Sequence, residues 1–425
     1  MKTNGKRGGF LKLVTIAYRN IYRNKRRSAL CVLAIAISVF FIVAMAAFME
    51  GMMDNFRKKV ITYETGHILI TSKEYEKKSA FLPVQYPVEP PGGNLAGLLR
   101  EIEAVPGVAV VFPRIRTQVS LLNSVMKSAL LWGIDMEREL QYNTFNYKTR
   151  NANKCLVQGR YPAEGANECA IGFRLAHKMG VGVGDKVQLR IVSSEFSNKY
   201  YFPVITGIVD FNAADMDKNA VIIPFARAQK LTSLQGKTQT LQVYVRPGQS
   251  VDAVFSAVKA RFQGNDDLSL KPYTRHPYLT LMKAGEAMMA IIYVVFMIVA
   301  SFLIINTVIM VIHERIKEIG MMAALGMTRR EIVLVFFLES VILSALGSVL
   351  GCLVSGAATF FLSQVPFDLG TFMEDMMAVN NTLYVKFSPS IIGSGLLYGL
   401  GISAACTILP SLKSAFIKPV DALRR

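Results

Sequence analysis

Acidic residues are scarce in this chain. Its 425 residues hold 48 lysines and arginines against 30 aspartates and glutamates, and only 18% of positions are charged. Residues 1–27 contain no acid but nine bases: Lys2, Lys6, Arg7, Lys12, Arg19, Arg23, Lys25, Arg26 and Arg27. Histidine is scarce too. His67, His177, His276 and His313 stand far apart with no partner at i+4, so the sequence offers no metal-ligand spacing. Of five cysteines, Cys31, Cys352 and Cys406 fall in apolar runs, where a thiol behaves as a small apolar group. Cys155 and Cys169 remain as candidates for one disulfide, and two cysteines establish no disulfide framework. The glycine-rich run Gly180–Val187 lacks phosphate-loop spacing, because Val187 stands where a hydroxyl must meet magnesium, and it leads into a strand. No G-x-S-x-G occurs and the outer acids are dispersed. The expectation is a chain with no active site, metal or cofactor of its own.

Long apolar runs are what the chain does have. A bilayer core takes about 20 apolar helical residues to cross. Four segments qualify: Ser28–Met49, Ala287–Ile312, Ile332–Leu362, broken only by Glu339, and Phe387–Leu412. They divide the chain into a basic segment 1–27, a first span 28–49, a large polar insertion 50–286, a second span 287–312, a loop 313–331, a third span 332–362, a loop 363–386, a fourth span 387–412 and a tail 413–425. The positive-inside rule places 1–27 in the cytoplasm. Loop 313–331, with Arg315, Lys317, Arg329 and Arg330, and the tail, with Lys413, Lys418, Arg424 and Arg425 against Asp421, agree. Loop 363–386 carries Asp368, Glu374 and Asp375 against Lys386 and falls outside. The basic N-terminus is thus explained by topology and needs no nucleic-acid partner. The first apolar core is too long for a cleaved signal and reads as a retained anchor.

The expected fold class is an α-helical membrane protein with four transmembrane helices, one plus three, and a large α+β extracytoplasmic domain between helices 1 and 2. Phe48, Met52, Phe56 and Val60 recur at i, i+4, i+8 and i+12, one stripe of a helix. They suggest a stalk that carries the first helix into the outer domain, with Tyr278–Glu286 as its returning partner; the alternative is an amphipathic helix lying on the membrane. Within the domain, strands are expected at His67–Thr71, Val108–Phe112, Gln118–Leu122, Ala129–Ile134, Lys186–Val192, Tyr200–Val209, Ala220–Ile223 and Leu241–Val245. Helices are expected at Leu95–Ala104, Arg174–Gly180, Pro224–Leu231 and Val251–Phe262. The length points to two lobes, with Gly92–Asn94 as a joint.

Small residues in the third span (Gly347, Gly351, Ser355, Ala358) and the fourth (Gly393, Gly395, Gly399, Gly401, Ser403) favour close helix packing. Glu339 is an intramembrane charge, which marks either a paired functional group or a carboxylate snorkelling to the surface. In the loop after span two, Ile316, Ile319 and Met322 share a helical face, Gly326 offers a stop, and Thr328 with Glu331 forms a capping-box pattern for the next helix. Such a short helix at the inner surface either docks on a partner protein or lies on the membrane.

That loop carries a resemblance. Glu314-Arg315-x-x-Glu318-Ile319-Gly320, then Ala324-Leu325-Gly326 and Arg330-x-Ile332, is similar to the signature of FtsX-like ABC transporter permeases, the superfamily of MacB, LolC and LolE. Ala17-Tyr18-Arg19-Asn20 and Asn24–Ser28 resemble the family's helix before span one. Glu339 with Gly347 and Gly351 resembles its third span, and Gly159-Arg160, Glu168–Gly172 and Gly184-Asp185 resemble its periplasmic domain. Met322-Ala323 departs from the arginine many members carry nearby. The resemblance covers the whole chain and is closest in layout to LolC and LolE. It implies ATPase-coupling roles for Glu314, Arg315, Glu318, Ile319, Gly320, Ala324, Leu325, Gly326 and Arg330. It also implies a separate cytoplasmic ABC ATPase that binds the ATP and magnesium, and a second permease copy or paralogue. The site is the bacterial inner membrane, with both termini cytoplasmic and the large domain periplasmic. Function is expected by mechanotransmission, most simply lipoprotein release to a periplasmic carrier, with the apolar loop Phe81–Val88 as a contact for lipid or partner. MacB-like export of a peptide, toxin or drug and FtsX-like activation of a cell-wall hydrolase are the alternatives.

Overall fold

The computed structural model describes residues 25–123, 125–142, 155–211, 213–262, 265, 267–276, 325–365, 367–368, 382–383 and 385–415, with single positions scattered between 15 and 23 and between 279 and 322. Its residues fall into two compact units. One comprises Met1–Met53, Ala284–Pro366 and Tyr384–Arg425, the other Asp54–Lys283 and Phe367–Leu383.

The first unit is helical. Helix α1, Lys25–Lys59, is 35 residues long. At a rise of 1.5 Å per residue it extends about 53 Å, well beyond the roughly 30 Å of a bilayer core. Its tail, from Asp54, belongs to the second unit. Among the described residues, two helices are long and apolar enough to cross a membrane, Ser28–Thr65 and Arg330–Gln364, and a shorter apolar helix covers Pro389–Ile402. Most of the expected span 287–312 lies outside the described residues.

The second unit is built on one eleven-stranded sheet. In chain order the domain runs β1 (Ile68–Ser72), α2 (Lys73–Lys77), α3 (Leu95–Glu103), β2 (Val108–Leu122), β3 (Met126–Ile134), α4 (Met136–Gln141), β4 (Leu156–Gly159), β5 (Glu168–Gly172), α5 (Phe173–Met179), β6 (Gln188–Val192), β7 (Asn198–Tyr201), β8 (Val204–Val209), α6 (Ala214–Asn219), β9 (Ala220–Pro224), α7 (Phe225–Thr232), β10 (Thr240–Val245), α8 (Val251–Arg261) and β11 (Leu268–Pro272). The first unit then adds α9 (Arg329–Gln364) and α10 (Pro389–Ala415). The sheet order is β11-β1-β10-β2-β3-β9-β5-β8-β4, with β6 joined to β2 and β7 to β6. Among the described strands, β3–β9 and β5–β8 are the parallel pairs.

Strand β2 organises the domain. Its first half pairs with β10 (Val111 opposite Val243) and its last residues with β6 (Val119 opposite Ile191), while β3 runs along the other edge. Two apolar clusters therefore share one strand. Ile68, Ile102, Val108, Val243 and Val258 form one; Val119, Leu131, Leu175, Leu189 and Ile223 form the other. Residues Asp54–Lys283, expected from length to form two lobes, fall in one compact unit on this single sheet. Burying each such side chain contributes about 1.5–3 kcal/mol.

Several expected boundaries change. Val108–Phe112 and Gln118–Leu122 are one strand, because Pro113, Arg114 and Arg116 interrupt the apolar run in sequence without interrupting the ladder. Tyr200–Val209 is two strands, parted at Phe202-Pro203. Strands β4, β5 and β11 fall outside the expected set; all three are short, β5 is mostly buried and β11 is half-buried. Gly92–Asn94 is no free joint. Gly92 and Gly93 take positive φ in a 3-10 turn, and the Asn94 side chain caps α3 by accepting from the Gly97 N–H at 2.9 Å.

Candidate functional site

In the helical unit the small residues stand at helix contacts. A Cβ on Gly347 would lie 2.8 Å from Ile35 Cβ, and one on Gly351 would lie 2.6 Å from the Ala36 carbonyl oxygen, both on α1. On α10, a Cβ on Gly395 would strike Val43 Cγ2, and one on Gly399 would lie 2.6 Å from Val39 Cγ2. Among the described residues, nothing lies within 4 Å of a Cβ placed on Gly393 or Gly401. They are two residues away from Gly395 and Gly399, so they point to the opposite side of the helix. Glu339 is buried, 4% exposed, rather than snorkelling to solvent. Lys386, just before α10, holds the α1 end through Glu50 at 3.0 Å and through its N–H to the Ala47 carbonyl at 3.2 Å.

The turn before α9 is built from its own backbone. Leu325 N–H donates to Met321 O (2.9 Å) and Met327 N–H to Met322 O (3.1 Å), around Gly326 at φ 92°. This is the Schellman geometry, which needs a left-handed residue and so favours glycine. Thr328 and Glu331 then close a capping box, with Thr328 N–H donating to Glu331 Oε2 at 2.9 Å. Leu325 is left 85% exposed at the apex. Of the residues assigned to ATPase coupling, Leu325, Gly326 and Arg330 are described; Glu314, Arg315, Glu318, Ile319, Gly320 and Ala324 lie outside the described residues.

The stalk ends in the second unit. Phe48, Met52 and Phe56 are half-buried and Val60 is buried. After Lys59 the helix widens into a π turn, Val60–Thr65, closed by the Gly66 N–H to Ile61 O at 2.9 Å. π turns are rare and concentrate at functional positions. A helix end leaves carbonyls without intrahelical donors, and here the domain supplies them. Tyr244 Oη donates to Ile61 O (2.9 Å), Arg114 Nη1 to Thr62 O (3.1 Å), Arg116 Nη1 to Tyr63 O (3.3 Å) and Gln242 Nε2 to Glu64 O (2.9 Å). Tyr63 in turn donates to Phe211 O at 2.7 Å.

Two arginines dominate this cradle. Arg114, fully buried, has Nε 2.9 Å and Nη2 2.6 Å from Glu139 Oε1 on α4. Arg116 has Nη2 2.7 Å from Glu64 Oε2. Both guanidiniums lie over the Trp132 ring, at 5.4 and 5.5 Å from its centroid. Burial works against the Arg116 charge, but the Glu64 carboxylate and Tyr75 outweigh it and raise its pKa. Burial likewise holds the His276 pKa below its ordinary value. Positive charge at the carboxyl end of a helix is favourable. None of these cradle residues was singled out from sequence. The available signal was the pair Arg114 and Arg116 at i, i+2 inside a β-branched run, which puts both on one face of a strand.

Cys155 and Cys169 are free thiols, so the candidate disulfide between them is not formed. They belong to different apolar clusters, Cys155 beside Tyr63 and Phe211 and Cys169 beside Ile205 and Leu189. Burial pushes the Cys169 thiol up to about 12 and the Cys155 thiol higher still. Among the described residues no group of three or more His, Cys, Asp or Glu side chains is placed to hold a metal ion.

Comparison with known proteins places the chain. A model of the MacB-like periplasmic core domain matches residues 28–261, more than half the chain, and a model of the FtsX-like permease C-terminal region matches residues 290–419. An uncharacterized ABC transporter permease of Methanocaldococcus jannaschii is 21% identical over 97% of this chain and 97% of its own length. The lipoprotein-releasing system transmembrane protein LolC of Neisseria meningitidis is 20% identical over 99% of this chain and 96% of its own. The macrolide export ATP-binding/permease protein MacB of Nitrobacter winogradskyi is 22% identical over 96% of this chain but 59% of its own length. Neither matched model is of a catalytic domain, and the chain belongs to the MacB/FtsX-type family of ABC transporter permeases.

Proposed function

We propose that this chain is the permease subunit of an ABC transporter that works by mechanotransmission. Four spans, 28–49, 287–312, 332–362 and 387–412, hold it in the inner membrane with both termini cytoplasmic. Loop 363–386 and the domain within 50–286 face the periplasm. A separate ATPase binds ATP and magnesium and docks on the segment Glu314–Arg330, and the permease acts as a dimer with a second copy or a paralogue. The chain itself carries no cofactor. One observation supports this reading best: a single helix runs from Lys25 to Lys59 and continues into a turn whose carbonyls are bonded by the domain's own side chains. Such a helix conveys displacement along its length, and a cargo path through the apolar spans is not required.

Lipoprotein release to a periplasmic carrier is the favoured cargo reading. The LolC relative supports it, because the alignment runs end to end in both chains. MacB-like export of a peptide, toxin or drug is second, supported by the match to the MacB-like core domain. Purification of the detergent-solubilised chain from its native cells, with mass spectrometry of what it retains, separates these. An ATPase with lipoproteins or a lipoprotein carrier supports release. An ATPase with an adaptor and an outer-membrane duct supports export. Retention of no ATPase after mild crosslinking contradicts both.

A further inference from the structure

Arg116 is held at its backbone as firmly as at its guanidinium. Its N–H donates to Gln239 Oε1 at 2.6 Å. Gln239 is fully buried, and its Nε2 donates to the carbonyls of Leu82 (3.1 Å) and Pro83 (3.0 Å). With the Glu64–Arg116 contact at 2.7 Å, an unbroken series of hydrogen bonds runs from the last turn of the stalk to residues 82–83. Those residues open a strap across the sheet. Leu82 takes a left-handed φ of 48°, Val84 is buried in one apolar cluster and Val88 in the other. The Ser72 hydroxyl donates to Tyr86 O at 2.9 Å, and the Val88 N–H to Thr238 O at 2.7 Å. Phe81, at the head of the strap, is 78% exposed. The Leu82 and Pro83 carbonyls lie outside any strand ladder, so the Gln239 amide sets where the strap begins. A buried amide left without partners carries a desolvation penalty that holds such an arrangement in place.

We propose that Arg116 and Gln239 are positioning residues that join the stalk's last turn to the Leu82–Val88 strap, so that the strap and Phe81 follow the stalk. The use made of this movement rests on the mechanotransmission reading; the connection itself does not. A small-scale displacement at Glu64 would reach Leu82 and Pro83 through the Arg116 side chain and backbone N–H and the Gln239 amide.

Amide hydrogen exchange on the full chain in lipid nanodiscs, without ATPase, tests the connection. The Val88 amide is the reporter at the strap and the Gly66 amide the reporter at the stalk; the β1 amides report an intact sheet. Arg116→Met and Gln239→Met are each expected to speed Val88 exchange about tenfold, and Glu64→Gln about threefold. The double variant Arg116→Met/Gln239→Met should exchange no faster at Val88 than the faster single variant, because both act through one connection. Glu64→Gln changes a single terminal atom in size and shape very little, so it retains the test if the larger substitutions disturb folding. The proposal is overturned if Arg116→Met or Glu64→Gln speeds Gly66 and leaves Val88 at the wild-type rate, or if the double variant is additive. Such a result removes the relay and leaves the transporter reading intact, whereas failure to retain an ATPase removes that reading and leaves the relay intact.

Discussion

Helix α1 meets its surroundings in two unlike ways within the two units. In the helical unit, Ile35, Ala36, Val39 and Val43 contact glycines of α9 and α10 at backbone distance. In the sheet unit, the last turn is gripped by Arg114, Arg116, Gln242 and Tyr244 through directional bonds to its carbonyls. Apolar contact over small residues fixes separation but little orientation, since dispersion and close packing are non-directional. Hydrogen bonds to carbonyls depend on angle and fix orientation. Under the proposed mechanotransmission, the first would suit a place where helices shift past one another and the second a place where displacement is delivered.

The difference can be broken at either end. The largest effect is expected at the cradle. Arg114→Met leaves Glu139 buried without its ion-pair partner and should destabilise the domain by about 3–5 kcal/mol, read as a fall in urea midpoint for the full chain in detergent. Arg114→Met with Glu139→Met should recover most of that loss. At the packing end, Gly351→Val introduces a clash with the Ala36 carbonyl and should cost about 1–3 kcal/mol, with a lower thermal midpoint; Gly393→Ala, whose Cβ meets nothing within 4 Å among the described residues, should not.

Smaller changes refine the contrast. Tyr244→Phe removes the donor to Ile61 O and Thr62 O and should cost about 1 kcal/mol by the same urea measurement. Thr328→Ala removes the capping box of α9, also at about 1 kcal/mol, seen as faster amide exchange in its first turn. Lys386→Met breaks a half-exposed pair with Glu50 and should shift stability by less than about 1 kcal/mol, an effect that shrinks with added salt.

Legibility in the sequence followed the range of the forces involved. The Thr328–Glu331 box was readable because both partners lie within four residues and each has one job. Gly347 with Gly351, and Gly395 with Gly399, were readable as small-residue pairs at i, i+4, a spacing that puts each pair on one helix face. The cradle was hidden because its parts are far apart: Thr62 meets Arg114, and Glu64 meets Gln242, only through the fold of the sheet. Arg114 and Arg116 also disguised the strand that carries them, since charge in the middle of an apolar run reads as a break. The candidate Cys155–Cys169 pairing could not be decided for a similar reason. Fourteen positions of sequence separation say nothing about which apolar cluster each thiol joins.

The most direct test of the account is a pair of spin labels inside the sheet unit, at Lys58 on the stalk and Lys199 on β7, in the full chain purified with the proposed partner ATPase. If the cradle delivers stalk displacement to the domain, the distance distribution stays narrow and unmoved between nucleotide-free and ATP-bound complexes, and Arg116→Met broadens it. A shift of that distance on ATP binding in the unsubstituted protein would show that the stalk slips against the domain and would contradict the account.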